Sequence, residues 1–386
     1  MTRIALYSHD ALGLGHVARS LSLSRAFSQC VPRPDILVLS GAREAAMLPR
    51  PHGCDVVGLP GLVRAGRERY AALDLLGVGS PEQRALRACV ASAALTSFAP
   101  DLFIVDRHPR GVGGELEPAL RALAGRTTIV LGLRDVLDHP AVASHEWAAQ
   151  RGEEALDEWY DAVGVYGDRR VYDVTADIAV PKRLRRAVHF TGYLVPGREA
   201  GRAPAGSCRT VLGLVGGGAD GAELARAFLT AAPLHGQPAE VVLGPQMPRA
   251  DRAELHAVAK ALPSARVHDF VPDVSGLLDR ATAVVSMGGY NTACEVMSRG
   301  RPALMVPRTR PRRDQLVRVS RLDEHGLVTM LHPDQLSPEA VAEWVSDAAV
   351  SGLSEPPQHV RLDGLAQTQA LAGEVLTHRG AIHVAV

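Results

Sequence analysis

Ser286-Met287-Gly288-Gly289-Tyr290-Asn291-Thr292-Ala293-Cys294-Glu295 is the stretch on which the reading of this chain turns. It follows the short apolar run Ala283-Val284-Val285 and opens a helical pattern, so its order is strand, glycine turn, helix start. Glycines carry no Cβ, and adjacent ones let first-turn amides approach phosphate oxygens closely. Glu295 stands one turn into the helix, where a carboxylate can grip a ribose diol. Gly288, Gly289, Asn291, Thr292 and Glu295 therefore have the layout of a nucleotide-sugar site.

The surrounding chain supports a layout of this kind. Its 386 residues are too many for one ordinary α/β unit and about right for two. Strands are expected at Ile4–Ser8, Ile36–Ser40, Val56–Leu59, Leu102–Val105, Thr128–Leu131 and Ala162–Tyr166. Helices are expected between them at His16–Ser28, Pro81–Phe98 and Glu146–Asp157. The alternation then restarts with strand Thr210–Val215, the loop Gly216-Gly217-Gly218 and helix Gly221–Ala232. Strands Val241–Leu243, Ala265–His268, Ala283–Val285 and Ala303–Val306 follow, and Leu362–Thr377 reads as a last helix. Such alternation predicts parallel sheets covered by helices on both faces. The Gly-, Pro- and Ala-rich segment Gly197–Gly206 reads as a linker. Two doubly wound domains are expected, 1–196 and 207–365, facing across a cleft, with a C-terminal helix and tail at 366–386 that can cross back to the first.

Composition excludes some classes. Lys+Arg and Asp+Glu are both 42, so no whole-protein field attracts nucleic acid. Lys182 and Lys260 are the only lysines, a bias that fits a GC-rich genome. Five scattered cysteines without a CxxC pair fit a reduced, cytoplasmic protein with no disulfide framework or zinc site. The N-terminus enters a strand directly and does not read as a signal peptide, and no apolar run approaches membrane-spanning length.

A second glycine turn, His9-Asp10-Ala11-Leu12-Gly13-Leu14-Gly15-His16-Val17-Ala18-Arg19, follows the first strand. Gly13, Gly15 and Ala18 satisfy a dinucleotide pattern, but the second strand ends in Ser40-Gly41 where that site wants an acid. His16, at the helix start, is placed to face a phosphate or act as a base. The bland alternative is that His16 caps the turn and Arg19 is a solvated helix residue. A third glycine turn, Gly216–Gly218, makes the ligand reading the better one. Phe270 is either a core aromatic or the flank of a nucleotide base.

Several of these motifs together resemble a known family. The loop at Gly216–Gly218, then Phe270-Val271-Pro272-Asp273, then Gly288–Glu295 is similar to the donor half of MurG-like glycosyltransferases, which have the GT-B fold. The resemblance runs over nearly the whole chain, through Gly13-Leu14-Gly15-His16, Val105–Gly111, Leu131–Asp135, Val165–Asp168, Thr191-Gly192-Tyr193, Pro307-Arg308 and Asp314-Gln315. It implies that Glu295 binds ribose and that Phe270-Val271 meet the base. Gly217, Gly218, Gly288, Gly289 and Thr292 would line a diphosphate, with Asn291 in the same loop, and Asp314 and Gln315 would meet the transferred sugar. His16 would face the reacting centre, with Asp106 and His108 as further catalytic candidates. Gly13, Gly15, Arg134 and Asp135 would form the acceptor-side loop. Two departures stand out: Leu14 interrupts the first glycine pair, and Ser286-Met287 and Tyr290-Asn291 replace other donor-loop residues.

The activity so implied is inverting transfer of a hexosyl or N-acetylhexosaminyl group from a nucleoside diphosphate to an acceptor hydroxyl or amine, UDP being the first choice. No metal or cofactor is expected. The acceptor is unread: a small molecule, a glycan or a lipid-linked group. A peripheral membrane contact through Arg183, Arg185 and Arg186 competes with a plain solvated charge run. The rival activities are a MurG-related nucleotide-sugar hydrolase, a nucleotide-sugar 2-epimerase and a non-catalytic donor-binding protein.

Overall fold

Runs such as Leu102-Phe103-Ile104-Val105 and Ala162-Val163-Gly164-Val165-Tyr166 are apolar at every position and buried at every position, as a strand covered on both faces of a parallel sheet must be. The structure is a computed structural model, and it describes residues 2–8, 15–64, 70–72, 80–195, 210–351 and 357–383. The linker at 197–206 and Gly13 lie outside the described residues.

The chain divides into two units, one from Met1 to Gly197 joined by Arg361–Val386, the other from Arg198 to Val360. In the first unit the strands are β1 (Arg3–Ser8), β2 (Asp35–Ser40), β3 (Cys54–Gly58), the small hairpin β4 (Leu62–Arg64) and β5 (Tyr70–Ala72), β6 (Leu102–Asp106), β7 (Thr128–Arg134), β8 (Ala162–Tyr166) and β9 (Val188–Phe190). Its helices are α1 (Gly15–Phe27), α2 (Ser80–Phe98), α3 (Glu117–Leu123), α4 (Pro140–Ala149) and α5 (Gly152–Trp159). Seven strands form one parallel sheet in the order β3-β2-β1-β6-β7-β8-β9.

The second unit contains β10 (Thr210–Leu214), β11 (Ala239–Val242), β12 (Ala265–His268), β13 (Ala281–Ser286), β14 (Ala303–Met305) and β15 (Thr329–Met330). They make a six-stranded parallel sheet in the order β12-β11-β10-β13-β14-β15. Its helices are α6 (Ala222–His235), α7 (Arg249–Lys260), α8 (Ser275–Arg280), α9 (Tyr290–Met297), α10 (Asp314–Glu324) and α11 (Pro338–Ser351). The last helix, α12 (Gly364–His383), belongs to the first unit.

Both sheets run outward through three strands and then return past their first strand. The order therefore reverses between β1 and β6 in one sheet and between β10 and β13 in the other. Ligands of doubly wound sheets bind outside the carboxyl ends of the strands at such a reversal.

The re-entry of the chain into the first unit is tied by backbone. Arg361 N donates to Asp168 Oδ2 at 3.0 Å, Tyr193 N donates to Arg361 O at 2.9 Å, and Gly364 N donates to Tyr193 O at 3.1 Å. Gln369 on α12 then donates to Ala26 O of α1 at 2.5 Å. The Val165–Asp168 and Thr191–Tyr193 motifs thus serve this junction.

One local expectation needs correction. The helix expected at Glu146–Asp157 is two helices, α4 and α5, broken where Arg151 takes a left-handed conformation with φ 50°. Strand β12 spans Ala265–His268 as expected, so Phe270 and Val271 lie in the loop beyond it. Arg183 is exposed, as in a solvated charge run, and also meets the end of α5: it donates to the carbonyls of Leu156 (2.5 Å) and Tyr160 (2.9 Å) and to the Asp157 carboxylate (2.9 Å). Among the described residues no helix is long and apolar enough to cross a membrane.

Candidate active site

At the first reversal, α1 begins directly behind the end of β1 and carries His16 in its first turn and Arg19 one turn on. Residues three apart share a helix face. Asp106 is the last residue of β6, the strand paired with β1, and that face of α1 looks onto it. His16 Nδ1 lies 2.5 Å from Asp106 Oδ2. Arg19 Nη2 donates to both Asp106 oxygens at 2.8 Å and lies 2.7 Å from His16 Nδ1. Arg19 is 4% exposed, so the reading of it as a solvated helix residue is overturned. A lone charge there would be costly, and Asp106 is what makes its burial tolerable.

The ring proton is assigned from these contacts. Nδ1 faces a carboxylate that only accepts and a guanidinium that only donates; because Arg19 Nη2 already donates to both Asp106 oxygens and Asp106 is the nearer group, the hydrogen is assigned to Nδ1, donating to Asp106. The basic lone pair is then on Nε2. Burial lowers the His16 pKa from 6.5 to about 4, against the upward pull of Asp106, while Arg19 and Arg134 add to the lowering. Burial alone would raise Asp106, but Arg19 and His16 hold its carboxyl well below the usual range. At neutral pH the pair is therefore a neutral imidazole oriented by a fixed carboxylate, which is the state a general base needs. Burial, with Asp106 nearby, pushes the Tyr166 phenol upward, so it stays protonated.

The other candidates of this unit divide. Gly15 starts α1. Arg134 ends β7 and donates to Leu137 O at 3.2 Å, and its charge is felt at His16. Asp135 is buried and accepts from Val136 N at 2.7 Å. His108 is buried with Nδ1 2.6 Å from Gln150 Oε1, whereas it is His16 and Asp106 that the fold joins directly.

At the second reversal the edge is made of backbone. The loop after β10 holds Gly218 at φ 90°, and a Cβ there would sit 2.1 Å from Leu243 O. After β13, a Cβ on Gly288 would sit 2.2 Å from Val319 Cγ2. Both turns therefore demand glycine. Helix α9 starts behind Gly289 with no side-chain cap hydrogen bond. Asn291 and Thr292 stand half-buried in that first turn. Ser286, fully buried at the end of β13, has a hydroxyl with no partner among the described residues.

Glu295 lies one turn into α9, half-buried. Its carboxylate makes no hydrogen bond or ion pair among the described residues, and burial, opposed by Arg299, raises its pKa to about 7. Phe270 is 45% exposed and is not a core aromatic. Val271 follows it, partly buried.

Asp314 and Gln315 at the start of α10 are nearly buried and engaged: Gln315 Oε1 accepts from Arg308 N at 3.0 Å, and Asp314 Oδ1 accepts from Arg308 Nη2 at 3.1 Å. Sequence reasoning missed Arg318. It is 1% exposed, donates to Gly288 O at 3.1 Å and lies over the Tyr290 ring at 5.7 Å, fixing the glycine turn from below. Its position one turn after Asp314 on an amphipathic helix was the available signal.

Residues 212–360 match the family model of the glycosyltransferase family 28 C-terminal domain. A comparison with curated proteins finds no match. Among solved structures the chain is similar to MurG of Acinetobacter baumannii, at 15% identity and TM-score 0.58 over 97% of this chain and 100% of that one. It is also similar to a UGT transferase of Siraitia grosvenorii in complex with UDP (13%, TM-score 0.59, 97% and 100% covered). A third is the glycosyltransferase VinC in complex with dTDP (14%, TM-score 0.56, 98% and 96% covered). The chain thus has the GT-B fold of the MurG-like glycosyltransferases, with the family 28 C-terminal domain match on its second unit.

Proposed function

We propose that this protein is an inverting, metal-independent glycosyltransferase. It moves a hexosyl or N-acetylhexosaminyl group from a nucleoside diphosphate, with UDP the first choice, to an acceptor hydroxyl or amine in the cytoplasm. The acceptor is a small molecule, a glycan or a lipid-linked group. The observation that carries the reading is the neutral His16 held by Asp106 and Arg19 at the reversal of the first sheet.

In this reading the acceptor proton passes to His16 Nε2 as the acceptor oxygen or nitrogen bonds to C1 of the sugar. The bond from C1 to the diphosphate oxygen breaks, and its electron pair leaves with the diphosphate. Attack from the face opposite the leaving group inverts C1. Asp106 stabilises the imidazolium that forms, and the amides behind Gly217, Gly218, Gly288 and Gly289 receive the leaving diphosphate. Glu295 takes the ribose hydroxyls and Phe270-Val271 the base.

The test is donor consumption with and without a panel of acceptors, for wild type and His16→Ala. Acceptor-dependent consumption that His16→Ala abolishes, with nucleotide affinity retained, supports the reading. Consumption at full speed in water alone supports the rival hydrolase.

A further inference from the structure

Arg308 lies in the loop after β14 and Asp220 in the loop after β10. In the sheet order β10-β13-β14, these are the loops on either side of the one that carries Gly288 and Gly289. Arg308 Nη1 nonetheless reaches Asp220 Oδ2 at 3.3 Å, while Nη2 donates to Asp314 Oδ1 at 3.1 Å. Adjacent strands lie about 4.8 Å apart, so the ion pair bridges roughly 10 Å of sheet edge across the glycine turn. Its members differ in what holds them. Asp314 is 3% exposed and Gln315 Oε1 fixes the Arg308 backbone, whereas the Asp220 side chain is 40% exposed. Arg308 Nε is buried and has no acceptor among the described residues. The guanidinium is thus anchored on one side, weakly paired on the other, and short of one acceptor.

We propose that Arg308 binds the donor diphosphate and that Asp220 is its stand-in partner, exchanged when the donor arrives. The inference rests on the diphosphate reading of the glycine turns and adds to it a side-chain cation. A phosphate oxygen that takes the place of Asp220 makes a charge-assisted hydrogen bond to Nη1, and the same contact strengthens as charge builds on the departing diphosphate. Exposed pairs such as Arg308–Asp220 are weak, which lets the exchange run without a large cost.

The experiment is calorimetric titration of UDP, dTDP, GDP and ADP into wild type, Asp220→Asn, Arg308→Ala and the double variant, with thermal melting to confirm folding. For the diphosphate that binds, Asp220→Asn should bind about two- to five-fold tighter, because the competitor for Arg308 is gone. Arg308→Ala should bind on the order of tenfold weaker or worse. The double variant should match Arg308→Ala alone, since Asp220 acts only through Arg308. A tightening that persists without Arg308 would mean a general field effect and would overturn the exchange. So would Asp220→Asn binding no better than wild type, which would leave the donor site itself intact. Binding of none of the four by wild type would overturn both this inference and the diphosphate reading beneath it.

Discussion

The two sheets reverse their strand order in the same way but furnish the reversal with opposite chemistry. Between β1 and β6 the edge is built from closely paired titratable side chains: His16, Asp106 and Arg19. Between β10 and β13 it is built from glycine turns and a helix start without a side-chain cap, with Glu295 one turn in. The first arrangement fixes which ring nitrogen of His16 carries the proton. The second lets a large anionic ligand reach main-chain amides. On the proposed reading, one topology serves a base in one unit and a nucleotide in the other, and the difference lies in a few residues per loop.

This contrast can be broken most severely at His16. His16→Ala should lower kcat by about 10²–10⁴-fold, with nucleotide affinity within twofold of wild type by calorimetry. Asp106→Asn should lower kcat on the order of 10²-fold or more, because the amide no longer selects the Nδ1–H tautomer. The same variant leaves Arg19 buried without its carboxylate, at a cost of about 3–5 kcal/mol in denaturant unfolding.

The pH dependence sharpens the contrast, because the two edges titrate in different windows. His16 is lowered to about 4, so it stays unprotonated as the pH falls through the ordinary histidine range. Activity limited by this base should hold down to mildly acidic pH and fall only towards about 4. An acid limb centred near 6.5, the unperturbed histidine value, would contradict its burial against Asp106. The folded state binds this proton less readily than the unfolded chain. His16 therefore contributes stability above the ordinary histidine range, lost as pH falls from there towards about 4.

Glu295 is raised to about 7, so in the free protein it is largely protonated below neutrality. Ribose hydroxyls donate to the ionised form. Nucleotide affinity should therefore rise with pH through about 7, with proton release, and Glu295→Gln should abolish that slope. Titration in buffers of different ionisation enthalpy reads the proton directly.

A smaller effect is expected away from both edges. Arg183→Ala should cost about 1–2 kcal/mol of stability through the lost carbonyl contacts at the end of α5, and leave kcat and nucleotide affinity unchanged.

The fold and the glycine-built edge were largely legible in the sequence. Short apolar runs, helical periodicity and glycine turns are local signals, and Gly216–Gly218 and Gly288–Glu295 sit where those signals place them. The side-chain edge was legible only in part. His16 and Asp106 were each named, but what makes them a pair is a contact between residues 90 apart. A solvated Arg19 was the bland alternative, because a charged residue on a helix usually is solvated, and its burial depends on a carboxylate 87 positions away. Arg318 was missed for the same reason, since its partners, the Gly288 carbonyl and the Tyr290 ring, become visible only once α10 packs on the glycine turn. The break at Arg151 escaped because nothing in the residues 146–157 spoils the helical period strongly enough to announce it.

The central claim is that the first edge carries the proton and the second the nucleotide. Its most direct test is calorimetric titration of UDP and dTDP into His16→Ala and Glu295→Ala side by side. The account predicts that His16→Ala binds the preferred diphosphate as tightly as wild type, while Glu295→Ala loses on the order of tenfold or more. Full binding by Glu295→Ala, or equal losses in both variants, would contradict the division of labour between the two edges.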